Sequence, residues 1–334
     1  MDVIRRVLRS RKKQLLSLDN VIGVGLGYKS VRDEVTERKS IVVIVEKKVP
    51  SDELRRRHVV PPFLDGVDTD VIETGKFRFL GRTDRVRPVP PGVSIGHIQV
   101  TAGTFGAVVR DKSTGKLLIL SNNHVLANAT NGRDKRAKAG DPILQPGVYD
   151  NGKRETDVIG SLLKFVPINP IFEESQCPVA QKVSQAASWF LKGFLGRYRL
   201  NFQRETLTEN VVDAAVAEPL RDDLIVDSVL ELGKISGVGE AQLGQTVRKS
   251  GRTSGLTEGK VRTTDVTIRV DMGNGGEAVF TDQIMADMVS RPGDSGSVIL
   301  NENNQAVGLL FAGSYNMTLF NKFSTVQRML DVTL

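Results

Sequence analysis

General-base chemistry near neutral pH most often uses an imidazole, and this 334-residue chain has three, His58, His97 and His124. His58 follows an arginine run and His97 lies in an alternating stretch, positions that suit structural or exposed side chains. His124 stands in LLILSNNHVLA, directly after an apolar run that can hold an imidazole at the mouth of a barrel. A satisfied loop histidine has the same local sequence. A candidate nucleophile lies in RPGDSGSVIL, where Gly293 and Gly296 bracket Asp294 and Ser295 ahead of another apolar run. Acyl transfer by serine needs its Oγ on a tight turn, with backbone N–H groups converging on the developing oxyanion. Glycine permits both the backbone angles and the close substrate approach. A glycine-rich β-turn with a capping aspartate accounts for the same four residues. The third candidate, Asp213 in NVVDAAVAEP, sits among apolar residues, where burying a carboxylate without a partner is costly. An edge-strand aspartate facing water is the alternative there. The chain has no His-Glu-x-x-His, no Cys/His ligand cluster and no phosphate-loop motif, so neither a metal nor a cofactor is expected.

Strands must position these residues. From Ser94 onward, short apolar runs such as GTFGAVVRD, KLLILSNN, GKVRTTDVTIRV, GSVILNENN and QAVGLLFAG are separated by glycine and turn residues, which predicts an all-β pair of barrels. Pro178 to Arg199 breaks that pattern: Val183, Ala186, Ala187, Phe190, Leu191 and Phe194 fall at helical spacing and read as an inserted helical hairpin or loop. Nearer the start, Ile4, Val7, Leu8, Leu15 and Leu16 predict a short amphipathic helix with basic residues outward. VIGVGLGYKS and SIVVIVEKKV then read as strands joined by a charged turn, with a short polar helix around Ser51 to Arg57 and a third strand near Gly66 to Ile72. The proline-rich, charged segment RTDRVRPVPPG, Arg82 to Gly92, reads as a linker.

Taken together, the segments around His124, Asp213 and Ser295, in that order, resemble the chymotrypsin-like serine peptidases, most closely their bacterial branch. KSGRTSGLTEGKV is similar to the strand and turn preceding the nucleophile in streptogrisin-type members, and AVGLLFAGS to the substrate-binding strand after it. The resemblance covers about residues 92–334, and the N-terminal unit with VIGVGLGYK looks like that of bacterial trypsin-like proteins and plant narrow-leaf type proteases. It implies a mainly β protein: a chymotrypsin-like double β-barrel over 92–334, a small N-terminal α+β domain over 1–85, and a helical insert at about 160–205. It implies a serine endopeptidase with His124 as general base, Asp213 as its orienting carboxylate, Ser295 as nucleophile, and the amides of Gly293 and Ser295 as oxyanion hole. The position where trypsin-type members carry an aspartate corresponds to Val289, and the pocket wall to Phe311, Ala312 and Gly313. A small or medium apolar P1 residue is the resulting expectation. Departures from the pattern are Ser297 in place of a usual glycine and 89 residues between His124 and Asp213, an excess that the insert explains. No Ile-Val-Gly-Gly start follows a basic site before the barrel, so Asp294 must find its partner elsewhere.

A single cysteine, Cys177, excludes an intrachain disulfide and favours a reducing compartment. MDVIRRVLRSRKKQLL lacks the continuous apolar stretch of a secretory signal, so a cytoplasmic protein with no membrane partner is expected. Residues 1–90 hold 20 Lys/Arg against 13 Asp/Glu, and the remainder 26 against 26. The basic excess is scattered among carboxylates with few aromatics, so nucleic acid is not expected as a partner. A protein or peptide substrate is, together with a homo-oligomer or regulatory partner through the N-terminal domain. The rival reading is a catalytically silent or switch-gated peptidase-fold scaffold that binds protein partners.

Overall fold

The computed structural model describes residues 2–31, 34–50, 52–75, 81–100, 102–175, 177–195, 200, 202–206, 208–273, 276–314 and 316–334. The chain divides into two compact units, Met1–Phe79 and Leu80–Leu334.

In the first unit, helix α1 (Asp2–Leu16) precedes strands β1 (Val21–Val31), β2 (Glu34–Val45), β3 (Phe63–Leu64) and β4 (Val67–Glu73). They form a sheet of order β1-β2-β4-β3 in which β2 and β4 run parallel. Val7 and Leu15 of α1 are buried with Ile41, Val43 and Val45 of β2, while the α1 arginines stay outside. Leu16, one position beyond that stripe, is 40% exposed. The helix expected around Ser51 to Arg57 is not formed: a single 3-10 turn covers Arg56–His58, and Ser51 lies outside the described residues. Leu54 is the only apolar side chain in that stretch, too little to bury a helix.

The second unit opens with β5 (Ser94–His97), β6 (Gly103–Thr104), β7 (Ala107–Asp111), β8 (Leu117–Ser121), the single-turn helix α2 (Asn123–Leu126), β9 (Pro142–Leu144) and β10 (Val158–Phe165). An insert follows: β11 (Phe172–Glu174), helix α3 (Pro178–Leu195) and β12 (Gln203–Glu205), with β11 and β12 paired as a ribbon. A single helix therefore replaces the expected hairpin, and residues 196–199 lie outside those described. The chain continues through β13 (Ala215–Pro219), β14 (Gly237–Val238), β15 (Thr246–Gly251), β16 (Gly255–Asp271), β17 (Glu277–Ala286), β18 (Val298–Asn301), β19 (Gln305–Gly313), β20 (Thr318–Lys322), α4 (Phe323–Leu330) and β21 (Val332–Thr333).

Two sheets result. The first has the order β21-β7-β8-β13-β10-β9-β5-β6; it curls around Ile95, Phe105, Ile119, Ile143 and Ala217. The second, β14-β19-β18-β15-β16-β17-β20, closes on itself because β19 also pairs with β20. Its interior holds Val247, Ile284, Ile299, Val307 and Phe320. A further core unites the barrels, with Leu118 and Leu120 meeting Val298, Leu300, Leu309 and Phe323. The β16 strand alternates in exposure along most of its 17 residues, as a strand with one face inward must. Arg82 to Gly92 is built into this unit and is no linker. Val89 is fully buried, its N–H donating to the Leu224 carbonyl at 2.7 Å, and Arg82 Nη1 donates to Ser250 Oγ at 2.7 Å. The arginines there are used up by fixed acceptors, which charge content alone does not reveal.

Leu120 is fully buried in the shared core and Leu256 is 47% exposed. Leu120→Ala is expected to lower stability by about 2–5 kcal/mol, and Leu256→Ala by less than about 0.5 kcal/mol, in denaturant unfolding. Equal losses at the two sites would contradict this placement of the core.

Candidate active site

The first-barrel residues are set by asparagines. Strand β8 ends at Ser121, and α2 anchors itself through buried Val125 and Leu126, which leaves His124 at the rim with 32% of its side chain exposed. Asn123 Nδ2 donates to the carbonyls of Thr130 and Val166 at 3.0 and 2.7 Å, pinning the loop behind the histidine. Asn122 Nδ2 donates to the Asp213 carbonyl at 2.7 Å, tying α2 to the segment leading into β13.

Asp213 is 2% exposed, and its carboxylate faces His124. Oδ2 lies 2.5 Å from His124 Nδ1, and Oδ1 accepts the His124 backbone N–H at 3.2 Å. A carboxylate only accepts, so the ring carries its proton on Nδ1 and leaves the Nε2 lone pair free. Burial pushes the imidazole down, but the charge and hydrogen bond of Asp213 outweigh it, and His124 titrates above the ordinary histidine value. The backbone of Asp213 is held from the second barrel. Its N–H donates to Asn321 Oδ1 at 3.2 Å, Asn321 Nδ2 donates to Gln283 Oε1 at 2.6 Å, and Gln283 Nε2 donates to the Val211 carbonyl at 2.8 Å. Asn321 and Gln283 are fully buried.

Ser295 sits on the turn before β18. Gly293 and Gly296 have φ of +100° and +93°, in the left-handed region, and both are crowded. A Cβ on Gly293 would meet Arg252 Nη1 and Thr253 Oγ1 at 2.5 Å, and one on Gly296 would run into Ser121 Oγ and the Thr104 carbonyl. The turn is clamped to the first barrel: Thr104 N–H donates to the Ser295 carbonyl at 2.7 Å and Thr104 Oγ1 to the Gly293 carbonyl at 2.8 Å. Gly103 lies between the Ser295 carbonyl and Val125, the neighbour of His124. The turn carrying Ser295 and the helix carrying His124 thus both border Gly103, where the barrels join. Ser295 Oγ donates to the Phe311 carbonyl at 3.3 Å rather than to His124. Among the described residues, no acceptor takes the N–H of Gly293 or of Ser295.

Asp294 points inward and is fully buried, as is Lys249 on β15, whose Nζ lies 3.2 Å from Asp294 Oδ2. Thr253 and Ser254 N–H donate to Oδ1 at 2.8 and 2.9 Å, while Ser254 Oγ and Arg291 N–H donate to Oδ2 at 2.5 and 2.9 Å. Burial pushes the carboxyl up, yet Lys249 and these donors hold it below the usual carboxylate range. Burial likewise lowers the Lys249 ammonium, with Asp294 opposing. Ser297 Oγ donates to the Asp294 carbonyl at 2.6 Å, so the residue standing in place of the usual glycine closes the same turn.

Phe311, Ala312 and Gly313 run along β19 beside Ser295. Phe311 is 5% exposed and meets the Phe280 ring at 4.7 Å. A Cβ on Gly313 would strike Ser290 Oγ, which lies 2.9 Å from Thr318 Oγ1. Val289 is 46% exposed, and its carbonyl accepts from Thr257 Oγ1 at 3.0 Å. Sequence reasoning passed over Ser290, Lys249, Asn321 and Gln283; only the lysine opening KSGRTSG carries a local signal, a charge next to a strand. The other histidines lie outside the site. His97 is 1% exposed between Asp141 and the Gln99 N–H, and His58 belongs to the first unit, where its Nδ1 accepts the Asp19 N–H at 2.9 Å. Among the described residues, no group of three or more His, Cys, Asp or Glu is placed to hold a metal.

No family model matches the chain. It is similar to Serine protease 2 of Streptomyces fradiae, with 37% identity over 82 residues, which is 25% of this chain and 44% of that protein. The match thus spans less than half the length of this relative. Among solved structures it is similar to Protease A of Thermobifida fusca, at 14% identity and a TM-score of 0.46, covering 74% of this chain and 97% of that one. A chymotrypsin from Cellulomonas bogoriensis matches at 14% identity and a TM-score of 0.45, with the same coverage. In sequence the chain is thus similar to a bacterial serine protease over part of its length, and its second unit is built on two paired barrels.

Lys249→Met leaves Asp294 charged and buried without its partner. A loss of about 3–5 kcal/mol is expected in denaturant unfolding, with most of it restored in the Lys249→Met/Asp294→Asn double variant. A single variant as stable as the parent would mean that the pair does not hold the turn.

Proposed function

We propose that the chain is a serine endopeptidase that cleaves peptide bonds through an acyl-enzyme. The observation that carries this reading is the 2.5 Å contact of His124 with buried Asp213, taken together with a serine on a glycine-flanked turn. In this mechanism Ser295 swings from the Phe311 carbonyl to His124 Nε2, which takes its proton as Oγ attacks the substrate carbonyl. The oxyanion is received by the free N–H groups of Gly293 and Ser295. The C–N bond breaks as His124 returns the proton to the leaving amine. Water, deprotonated by the same imidazole, then hydrolyses the acyl ester. Asp213 remains ionised throughout and stabilises the imidazolium.

Along β19, pairing with β18 stops at Leu309 while pairing with β20 continues to Gly313. One edge of Phe311 to Gly313 is therefore available for an extended substrate backbone. Val289, Ser290, Phe311, Ala312, Gly313 and Thr318 offer no charge to a P1 lysine or arginine, which favours a small or medium apolar P1 residue. A cytoplasmic, reducing setting belongs to the same proposal and rests on Cys177 being the single cysteine. One observation favours a switch-gated variant: with its hydroxyl given to Phe311, Ser295 awaits a rearrangement before attack.

A fluorophosphonate probe is expected to label the parent protein and neither Ser295→Ala nor His124→Ala; labelling that survives both substitutions would sink the proposal. Asp213→Asn is expected to lower kcat by about 10⁴, as loss of the orienting carboxylate does elsewhere. Because attack needs the neutral imidazole, kcat/KM should rise with pH through a midpoint above the ordinary histidine value. Asp213→Asn removes the attraction and leaves the burial, so its residual activity should titrate at lower pH. An unmoved acid limb would show that another group controls it.

A further inference from the structure

Of the two N–H groups given to the oxyanion, that of Gly293 belongs to a peptide unit whose other end is tied down. Thr253 Oγ1 donates to the Pro292 carbonyl at 2.8 Å. The Pro292–Gly293 peptide is trans, so its C=O and N–H point to opposite sides of one rigid plane, and whatever fixes the carbonyl also aims the N–H. Untied, the unit could turn over. Glycine at 293 tolerates backbone angles that other residues resist, so little steric opposition would meet a flip that took the N–H away. A threonine hydroxyl can donate or accept, and its role here is set by Arg252. Nη1 of Arg252 donates to Thr253 Oγ1 at 2.9 Å, and a guanidinium has donors only, which leaves the threonine proton for the Pro292 carbonyl. Arg252 is fixed in turn from the first barrel. Its Nε donates to Asp150 Oδ2 at 2.6 Å and its Nη2 to Asp150 Oδ1, a bidentate pair with side chains 9% and 8% exposed. Its backbone N–H donates at 3.0 Å to Thr104 Oγ1, the hydroxyl that reaches the Gly293 carbonyl.

We propose that Asp150, Arg252 and Thr253 form a positioning relay that locks the Pro292–Gly293 peptide with its N–H available to the oxyanion. The three act on the reaction through the Gly293 N–H and are positioning residues. The inference rests on the peptidase reading and names what keeps the oxyanion hole formed before substrate arrives. Such donors owe their effect to being aimed in advance, since an N–H already in place needs no reorganisation as charge develops. The relay also explains the crowding at Gly293: Arg252 Nη1 and Thr253 Oγ1 occupy the place a side chain there would need. It begins at Asp150 in the first barrel and ends at a donor in the second, so the hole is complete only when the barrels are docked.

Thr253→Val removes the hydroxyl at nearly constant shape and keeps the backbone N–H that bonds Asp294 Oδ1, so the Lys249–Asp294 pair stays in place. Thr253 is exposed, and an unchanged melting temperature checks that the variant folds. The fluorophosphonate probe reads the hole directly, because its phosphonyl oxygen takes the place of the oxyanion. At saturating probe the labelling rate of the full chain is expected to fall about tenfold in Thr253→Val, part of the about 10²–10³ that a whole oxyanion donor supplies elsewhere. The half-saturating concentration should not change, and Thr253→Ser should restore the rate. Asp150→Asn should slow labelling too, and the Asp150→Asn/Thr253→Val double variant no further than Thr253→Val alone, because the two act in series. Labelling of Thr253→Val at the parental rate overturns the relay and leaves the peptidase reading standing. So does a loss confined to the half-saturating concentration, a loss that Thr253→Ser does not restore, or a double variant whose loss is the product of the two single ones. A parent protein that takes no probe removes the peptidase reading and the relay with it, which tells the two failures apart.

Discussion

Lys249 and Asp294 have no access to water, and a buried ion pair is stable only if its geometry is right and its remaining bonding capacity is filled. That requirement shapes the turn around the nucleophile candidate. The Asp294 carboxylate gathers N–H groups from Thr253, Ser254 and Arg291, which draws the β15–β16 corner and the 291–297 turn onto one point. Gly251 has no room for a Cβ because Asp294 and Ser297 fill the space. With the aspartate drawn inward, its neighbour Ser295 is left partly exposed, its Oγ on the Phe311 carbonyl. A buried ion pair thereby fixes the turn on which Ser295 stands.

The histidine half of the site depends on the opposite barrel in the same manner. Asp213 belongs to the first barrel by sequence, yet its amide is fixed by Asn321 on β20, itself oriented by Gln283 on β17. Thr104, from the first barrel, in turn clamps the Ser295 turn of the second. Neither barrel holds its own contribution alone. Slippage between them would strand buried polar groups at several kcal/mol of desolvation, so the shared apolar core and these crossed bonds enforce one relative position.

Legibility in the sequence followed how local the signal was. Strands with period-two alternation and the glycines at 293 and 296 declare themselves within ten residues, as does the apolar run ahead of His124. The partners of the buried carboxylates do not, because Lys249 is 45 residues from Asp294 and Asn321 is 108 from Asp213. Nothing near a lysine in KSG tells whether it snorkels to water or turns inward. The 82–92 segment misled for the same reason: arginines and prolines have the composition of a linker, and only carbonyl acceptors far along the chain make them part of a barrel. Helix α3 was visible by spacing, but the bonds of its Ser184 and Ser188 to the backbone of Leu200 were not.

The long separation between His124 and Asp213 leaves the site undisturbed because the insert hangs from a narrow neck. Asn169 N–H donates to Asn210 Oδ1 at 2.8 Å, and Asn210 Nδ2 returns to the Asn169 carbonyl at 2.9 Å, so some 40 residues leave and re-enter at one point. Asn210 is also bonded through its N–H to the Val279 carbonyl at 2.9 Å, and Val166 N–H reaches the Ala214 carbonyl at 2.9 Å, one residue beyond Asp213. The closure entropy of a loop grows only with the logarithm of its length, so once the neck is fixed further residues cost little. The segment that carries Asp213 begins where the neck is tied, and the insert is free to acquire a surface of its own without strain reaching the carboxylate bonded to His124.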